Sequence, residues 1–275
     1  MNQKIINVGN IEISNHSPIV LISGPCVIES REHALMMAKE LQKITKKLDI
    51  PFIFKSSFDK ANRTSIGSFR GINFYECMNI FEEIRSLGIP VITDVHTEEQ
   101  CPIVSHYVDV LQIPAFLCRQ RDLLLAAGKT GLPISVKKGQ WMAPENMRHV
   151  IDNISSTNND KIMLCERGSS FGPNNLVVDM TSLEVMKQTG YPVVFDATHS
   201  VQRQSSGGIT LGNREFVAPL AKAATAIGIA SLFMETHDNP DAALSDAANQ
   251  FRLDNLEQML RIIKKIDNIA KTDLT

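Results

Sequence analysis

Pro192-Val193-Val194-Phe195-Asp196-Ala197-Thr198-His199 opens as an unbroken apolar run, closes on a carboxylate and places an imidazole three residues further on. A run with no polar alternate suits a strand buried on both faces, as a parallel strand covered by helices is. The polar residues then fall where the strand leaves the sheet. The same grammar recurs at residues 19–23, 52–55, 91–94, 108–112, 134–137, 162–166, 193–196 and 230–235, each run followed by a polar turn and a longer segment of helical spacing. That alternation is the βα signature, and it predicts eight strands. Nearly all of them end in a charged or strongly hydrogen-bonding residue: Lys55, Asp94, Gln112, Lys137, Glu166 with Arg167, Asp196 with His199, and Glu235. A doubly wound sheet gathers ligands only near its switch point, whereas a closed barrel builds its site from the C-terminal ends of many strands. The pattern therefore predicts an α/β protein, a (β/α)8 TIM barrel.

Between the strands, Phe74, Cys77, Phe81, Ile84 and Leu87 recur at helical spacing and stop at Gly88 and Pro90. Ser30 reads as the N-cap of a helix with Leu35, Ala38, Leu41 and Ile44 on one face, and a last helix is expected over 256–270. Residues 5–13 read as a small hairpin turning at Gly9-Asn10, inside an N-terminal piece of residues 1–14. No linker or composition shift divides residues 1–275, so one domain is expected.

With 43% hydrophobic and 21% charged residues, the chain has the profile of a globular protein rather than a disordered one. A net charge of -2 and a pI near 6.4 leave no chain-wide basic footprint for nucleic acid or an anionic membrane, so any anion site is local. Neither a signal-type apolar segment at the N-terminus nor a run of about 18 apolar residues is present, and a cytoplasmic location is expected. The five cysteines are scattered without a C-x-x-C, which argues against a disulfide framework or a zinc ribbon.

Lys55, Lys60, Asn62, Arg63 and Thr64 crowd one loop after the second strand. Such a set can grip a phosphorylated, polyhydroxylated ligand, although a solvated basic loop is the commoner meaning of that composition. Lys137 and Arg167 can meet on a second phosphate; a Schiff-base lysine or a simple pair with Glu166 are the alternatives. Cys26, His199, Glu235 and Asp246 are of metal-binding type, and closure of a barrel would bring the first strand beside the eighth, with the seventh flanking the eighth on its other side. Thiolate, imidazole and carboxylate suit zinc or ferrous iron better than magnesium; a structural cysteine and a hydrogen-bonded histidine are the rival readings. Gly128-Lys129-Thr130 mimics the end of a phosphate loop, but Leu123 stands where its first glycine is required.

Taken in order, LISGPCVIES (21–30), FKSSFDKANRTS (54–65), SFRG (68–71), ITDVH (92–96), QIPAFLCRQ (112–120), VKKGQ (136–140), CERGSSFGPNNLVVDM (165–180), FDATHSVQ (195–202) and FMETHDNPDAALSDA (233–247) resemble the 3-deoxy-D-manno-octulosonate 8-phosphate synthases along almost the whole chain. The resemblance implies a barrel enzyme, usually a homotetramer, that condenses phosphoenolpyruvate with arabinose 5-phosphate and water in lipopolysaccharide precursor synthesis. It implies Lys137 and Arg167 as ligands of the phosphoenolpyruvate phosphate, with Lys55, Lys60 and Gln112 near its carboxylate or the reacting carbonyl. Asn62, Arg63 and Thr64 match the sugar-phosphate loop, and Arg119 resembles an arginine reaching a neighbouring subunit's sugar phosphate. Lys60, Asn62, Asp94 and His199 would be catalytic, and Cys26 with His199, Glu235 and Asp246 resembles the metal-dependent class, implying zinc, ferrous iron or manganese. Thr64 stands where serine is usual, Gly67 where histidine is common, and residues 203–213 depart from the family's loop. The rivals are a related synthase using erythrose 4-phosphate, a Schiff-base aldolase through Lys55 or Lys137, and a non-catalytic phosphosugar-binding barrel.

Overall fold

Eight short strands, β1 (Val20–Gly24), β2 (Phe52–Lys55), β3 (Val91–Asp94), β4 (Val110–Ile113), β5 (Ile134–Lys137), β6 (Ile162–Glu166), β7 (Val193–Asp196) and β8 (Ser231–His237), form the centre of the computed structural model. The structure describes residues 3–61, 67, 69–172, 175–203 and 211–272. Consecutive strands pair in parallel, and β8 bonds β1 on one side and β7 on the other, so the ring is closed. A helix follows each strand: α1 (Arg31–Leu48), α2 (Phe74–Ser86), α3 (Gln100–Val104), α4 (Arg121–Lys129), α5 (Met147–Ser155), α6 (Thr181–Lys187), α7 (Val217–Ala226) and α8 (Leu253–Ala270). This is the (β/α)8 barrel that the sequence pattern predicts.

Five strands begin and end where the apolar runs do, and the other three differ for local reasons. The amide of Ile19 donates to the buried carboxylate of Asp267 at 2.8 Å, so β1 begins one residue later. At the foot of β4 the Asp109 amide donates to the carbonyl of Val91 at 2.8 Å while its carboxylate takes the amide of Val91 at 2.9 Å and pairs with Arg85 at 3.0 Å, so a side-chain brace stands where regular strand pairing begins. β8 runs on to His237 because Thr236 and His237 pair with Phe251 and Arg252, a partner segment distant in sequence.

Alternation along the strands divides the core in two. Val20, Ile22, Ile53, Ile92, Val110, Met163, Val194 and Phe233 fill the barrel, while Leu21, Phe54, Val91, Leu111, Val136, Leu164, Phe195 and Met234 face the helices. α1 begins at Ser30, whose hydroxyl accepts the amide of His33 at 3.1 Å, and buries Leu35, Ala38 and Leu41; Ile44 is partly buried against the same core. α2 buries Cys77, Phe81 and Ile84, and Leu87 lies at its C-cap, exposed.

The hairpin is present as two antiparallel strands, Ile6–Val8 and Ile11–Ile13, turning through Gly9 at φ 56°. Ile6, Val8 and Ile13 pack with the barrel-filling residues, so the hairpin stops the N-terminal end of the barrel. Asn15 fastens it there, donating to the carbonyl of Tyr191 at 2.9 Å and accepting from the amide of Val193 at 2.9 Å. No helix among the described residues is long and apolar enough to cross a membrane.

Candidate active site

The interior-facing residue at the C-terminal end of a strand has no further apolar layer above it, so a polar group there is free to face the mouth. Lys55, Asp94, Gln112, Lys137, Asp196 and Glu235 occupy these positions, all buried. They are linked rather than scattered. Lys55 Nζ donates to Glu235 Oε1 at 2.8 Å and to Ser57 Oγ at 3.3 Å. Lys60 Nζ donates to Ser57 Oγ at 2.9 Å, and the Ser57 hydroxyl in turn donates to Asp94. Asp94 Oδ2 lies 3.1 Å from His96 Nε2. On the opposite side Lys137 Nζ bonds Asp196 and lies 3.8 Å above the centre of the Phe233 ring. Arg167 Nη2 donates to the carbonyl of His199 and to Gln202 Oε1, both at 2.7 Å. Lys137 and Arg167 thus meet around His199, and Lys137 pairs with Asp196 rather than Glu166.

Glu166 faces the other way. Its carboxylate accepts the amides of Arg167 at 3.0 Å and Gly168 at 2.6 Å and sits 3.6 Å from fully buried Lys138. Lys138 also donates to the carbonyls of Gly139 and Met142 and to Ser169 Oγ, a structural knot that fixes the turn carrying Arg167. A recess of about 250 Å³ beside Phe58, Arg70 and Phe74 includes none of the strand-end residues and has no part in this cluster.

Burial and charge act against each other throughout the mouth. Burial opposes the Asp196 carboxylate, but His199 and Lys137 outweigh it and hold that group far below the usual range. Glu235 is likewise opposed by burial and brought down to about 2 by Lys55, His199 and Lys60. Asp94 is lowered against its burial by His96, Lys60 and Lys55. Burial disfavours the Lys60 ammonium, yet Cys26, Glu235, Asp94 and Asp246 raise it above its ordinary value. Burial lowers Arg167, but a guanidinium stays charged at neutral pH. The mouth is a charged surface held ready in a dry wall, suited to polyanionic substrates.

Closure of the ring also brings the four metal-type residues together. Cys26 Sγ and a carboxylate oxygen from each of Glu235 and Asp246 lie within 4.8 Å of one another, with Cys26 Sγ 3.3 Å from Asp246 Oδ2. His199 Nε2 is 3.6 Å from both Glu235 Oε1 and Asp246 Oδ2. Two donors on a tetrahedral zinc are separated by roughly 3.3–3.6 Å, so Cys26, Glu235 and Asp246 form the close set, and His199 meets that spacing toward the two carboxylates but is not part of the mutually close group with Cys26. Three further features agree with a cation there. Glu235 Oε2 is buried without a hydrogen-bond partner. The Nδ1–H of His199 donates to Asp196 Oδ2 at 2.7 Å, leaving Nε2 as the lone pair, the usual second-shell arrangement for a ligating histidine. Burial, reinforced by Glu235, pushes the Cys26 thiol up, which a bound cation would reverse. Asp246 holds its backbone at φ 47°, an uncommon conformation for a non-glycine and one that clusters at functional sites. This donor set could hold a divalent ion.

Of the other expected site residues, Asn62, Arg63 and Thr64 lie outside the described residues, as do 204–210 of the loop after β7. Arg119 is exposed just beyond the 3-10 turn Ala115–Leu117. Three contributors had not been singled out: Ser57, which links Lys55, Lys60 and Asp94; Gln202, which bridges Arg167 and Asp246 at 2.7 and 3.4 Å; and Gln250, which accepts the amide of Cys26 at 3.1 Å. Ser57 and Gln202 sit within the strings KSS and THSVQ, but nothing in composition separates Ser57 from Ser56 beside it.

The DAHP synthetase I family model matches residues 2–272. Proteins named 2-dehydro-3-deoxyphosphooctonate aldolase are similar over nearly the whole chain. That of Granulibacter bethesdensis is 53% identical over 98% of this chain and 96% of its own. That of Rickettsia rickettsii is 52% identical over 98% and 99%, and that of Bartonella bacilliformis 51% over 98% and 96%. With the closed barrel and its charged mouth, these matches mean that the chain belongs to the DAHP synthetase I family, in the company of the 2-dehydro-3-deoxyphosphooctonate aldolases.

Proposed function

We propose that this protein condenses phosphoenolpyruvate with arabinose 5-phosphate and water to give 3-deoxy-D-manno-octulosonate 8-phosphate and inorganic phosphate, a step toward lipopolysaccharide. The observation that carries the reading is the presence of four buried cations, Lys55, Lys60, Lys137 and Arg167, at one end of one barrel, joined through Ser57, Glu235, Asp196 and His199. Glu235, Asp94 and Asp196 already counter Lys55, Lys60 and Lys137, whereas the described hydrogen bonds of Arg167 go to a carbonyl and an amide oxygen, so the mouth still favours a phosphorylated anion beside Arg167 and Lys137.

Lys137 and Arg167 hold the phosphate of phosphoenolpyruvate, and Lys55, Lys60 and Gln112 its carboxylate. Asn62, Arg63 and Thr64 take the sugar phosphate. Two anions fixed face to face turn a two-substrate encounter into an effectively intramolecular one, which is a large share of the rate enhancement. C3 of the enol forms a bond to the aldehyde carbon, and the aldehyde oxygen gains a proton. Positive charge at C2 is captured by water, which loses a proton, and the C2–O bond to phosphate breaks. Lys60, held as an ammonium beside Ser57 and Asp94, would stabilise the negative charge that develops on the aldehyde oxygen, and His96, bonded to Asp94, would carry the proton.

Cys26, His199, Glu235 and Asp246 would hold a divalent cation of the zinc, ferrous iron or manganese type, and it would supply Lewis acidity toward an oxygen of water or aldehyde. The thiol at position 26 supports a reading in the metal-dependent class. Arg119, on an exposed turn, fits a role at a neighbour's sugar phosphate, and with it a homotetramer. A cytoplasmic enzyme of one domain completes the reading.

Phosphate release from phosphoenolpyruvate is the test. It is expected with arabinose 5-phosphate and to be far slower with erythrose 4-phosphate; the reverse preference selects the related synthase. Binding of both ligands without phosphate release makes the protein a sugar-phosphate carrier, and a borohydride-trapped adduct on Lys55 or Lys137 makes it a Schiff-base aldolase. Chelation and Cys26→Asn examine the metal, and full activity in verified metal-free enzyme removes it from the mechanism.

A further inference from the structure

A second cluster of donor groups lies outside the charged mouth. Glu29 is in the connection between β1 and α1, His33 in the first turn of α1, and His237 at the end of β8. A ring nitrogen of each histidine and a carboxylate oxygen of Glu29 lie within 4.8 Å of one another. The two imidazole rings are 4.5 Å apart between centres. Asp238 Oδ1 stands 3.0 Å from both His33 Nε2 and His237 Nδ1.

Hydrogen bonding settles which nitrogen of His237 is left over. Asp238 Oδ1, 3.0 Å from His237 Nδ1, is a carboxylate oxygen and can only accept, which puts the ring proton on Nδ1 and leaves Nε2, on a side chain only 4% exposed and without a hydrogen-bond partner, as the lone pair. It faces Glu29 Oε1 at 3.4 Å. His33 Nδ1 is also buried without a partner. Orphaned imidazole nitrogens cost free energy unless something occupies them. A separation of 3.4 Å is close to the edge of a tetrahedral site with N and O donors, roughly 3.3 Å.

We infer that Glu29, His33 and His237, with Asp238 beside them, form a second site for a divalent transition cation, built from nitrogen and oxygen donors alone. With Nε2 of His237 on the ion, its proton sits on Nδ1 and faces Asp238 Oδ1 at 3.0 Å, the carboxylate backing common for ligating imidazoles. The place of the site in the fold gives it a purpose. Glu29 Oε1 also accepts the amide of Leu244 at 2.9 Å. An ion here pins the β1–α1 connection, which carries Cys26, to the end of β8 and the following loop, which carry Glu235 and Asp246. It clamps from outside the two loops that supply the mouth's own donors.

Cobalt(II) separates the two sites, because only a site with Cys26 gives thiolate-to-cobalt charge-transfer absorption. Metal-stripped full-length protein is titrated with Co2+, following absorbance and bound metal by equilibrium dialysis. Two equivalents are expected, with the charge-transfer band reaching its limit at one. Cys26→Ser should lose the band and keep one equivalent; His33→Ala and Glu29→Gln should each keep the band and weaken the other equivalent at least tenfold. Glu29→Gln, nearly isosteric, covers the case in which His33→Ala misfolds. The inference is overturned if wild type binds one equivalent and Cys26→Ser none, or if the band-silent equivalent keeps its affinity in both cluster variants. Absence of the band with one silent equivalent present instead removes the thiolate site and leaves this one standing.

Discussion

Gly24 shows how much of the mouth depends on one missing methyl group. A Cβ at this position would lie 2.1 Å from the carbonyl oxygen of Lys55, on the neighbouring strand. Gly24→Ala must therefore push β2 away at the residue that carries the Lys55 ammonium. We expect a loss of about 1–3 kcal/mol from overpacking, read as a lower urea midpoint, and a larger loss of phosphate release than stability alone explains. The pair of Asp94 and His96 makes a pH-dependent prediction. Burial opposes the His96 charge, but Asp94 raises its folded value above the usual range, so its contribution to stability is complete below about pH 6.5 and fades as pH rises through the folded value. His96→Gln should lower the urea midpoint most near about pH 5 and least near about pH 9. An equal deficit at both would mean the imidazole acts by packing alone. At this scale the sequence identifies groups and not their partners. Lys55, Lys137 and Glu235 are evident as strand ends, but that Lys55 takes Glu235 and Lys137 takes Asp196 depends on which strands close the ring.

Element boundaries were legible wherever a single local rule governs them. Ser30 is a clear N-cap, and Ser30→Ala should cost about 1 kcal/mol, lowering the melting temperature by about 2–4 °C. Among the described residues its hydroxyl bonds the amide of His33 and no residue of the mouth, so turnover below the transition should be unchanged; a drop in turnover at constant melting temperature would refute a purely capping role. Strands bounded by proline or by a charged end could be read to the residue, as β5 and β7 were. β8 could not, because its last two residues pair with Phe251 and Arg252, and no periodicity announces a ladder made with a segment far along the chain. The start of β1 was missed for a similar reason: Asp267, on the final helix, intercepts the amide of Ile19. Local rules suffice for helix ends and fail for contacts that only closure creates.

At the scale of the molecule, the hairpin and the final helix hold the ring at its N-terminal side. Asp267 links the entry of β1 to α8 and pairs with Lys271 at 2.7 Å, while Ile13, fully buried, sits with the barrel filling. Ile13→Ala should cost about 2–5 kcal/mol with little change in the Michaelis constants, since the cavity opens at the end away from the chemistry. A change in substrate affinity as large as the change in stability would show that the two ends communicate. Because Ile6, Val8 and Ile13 stop that end, traffic passes through the mouth alone. A vessel with one opening is a last-in, first-out store: whichever reactant sits deepest has to arrive ahead of its companion, and its remnant departs behind whatever was laid over it. Steady-state inhibition patterns should therefore be those of compulsory order, and random order would mean that the bottom leaks.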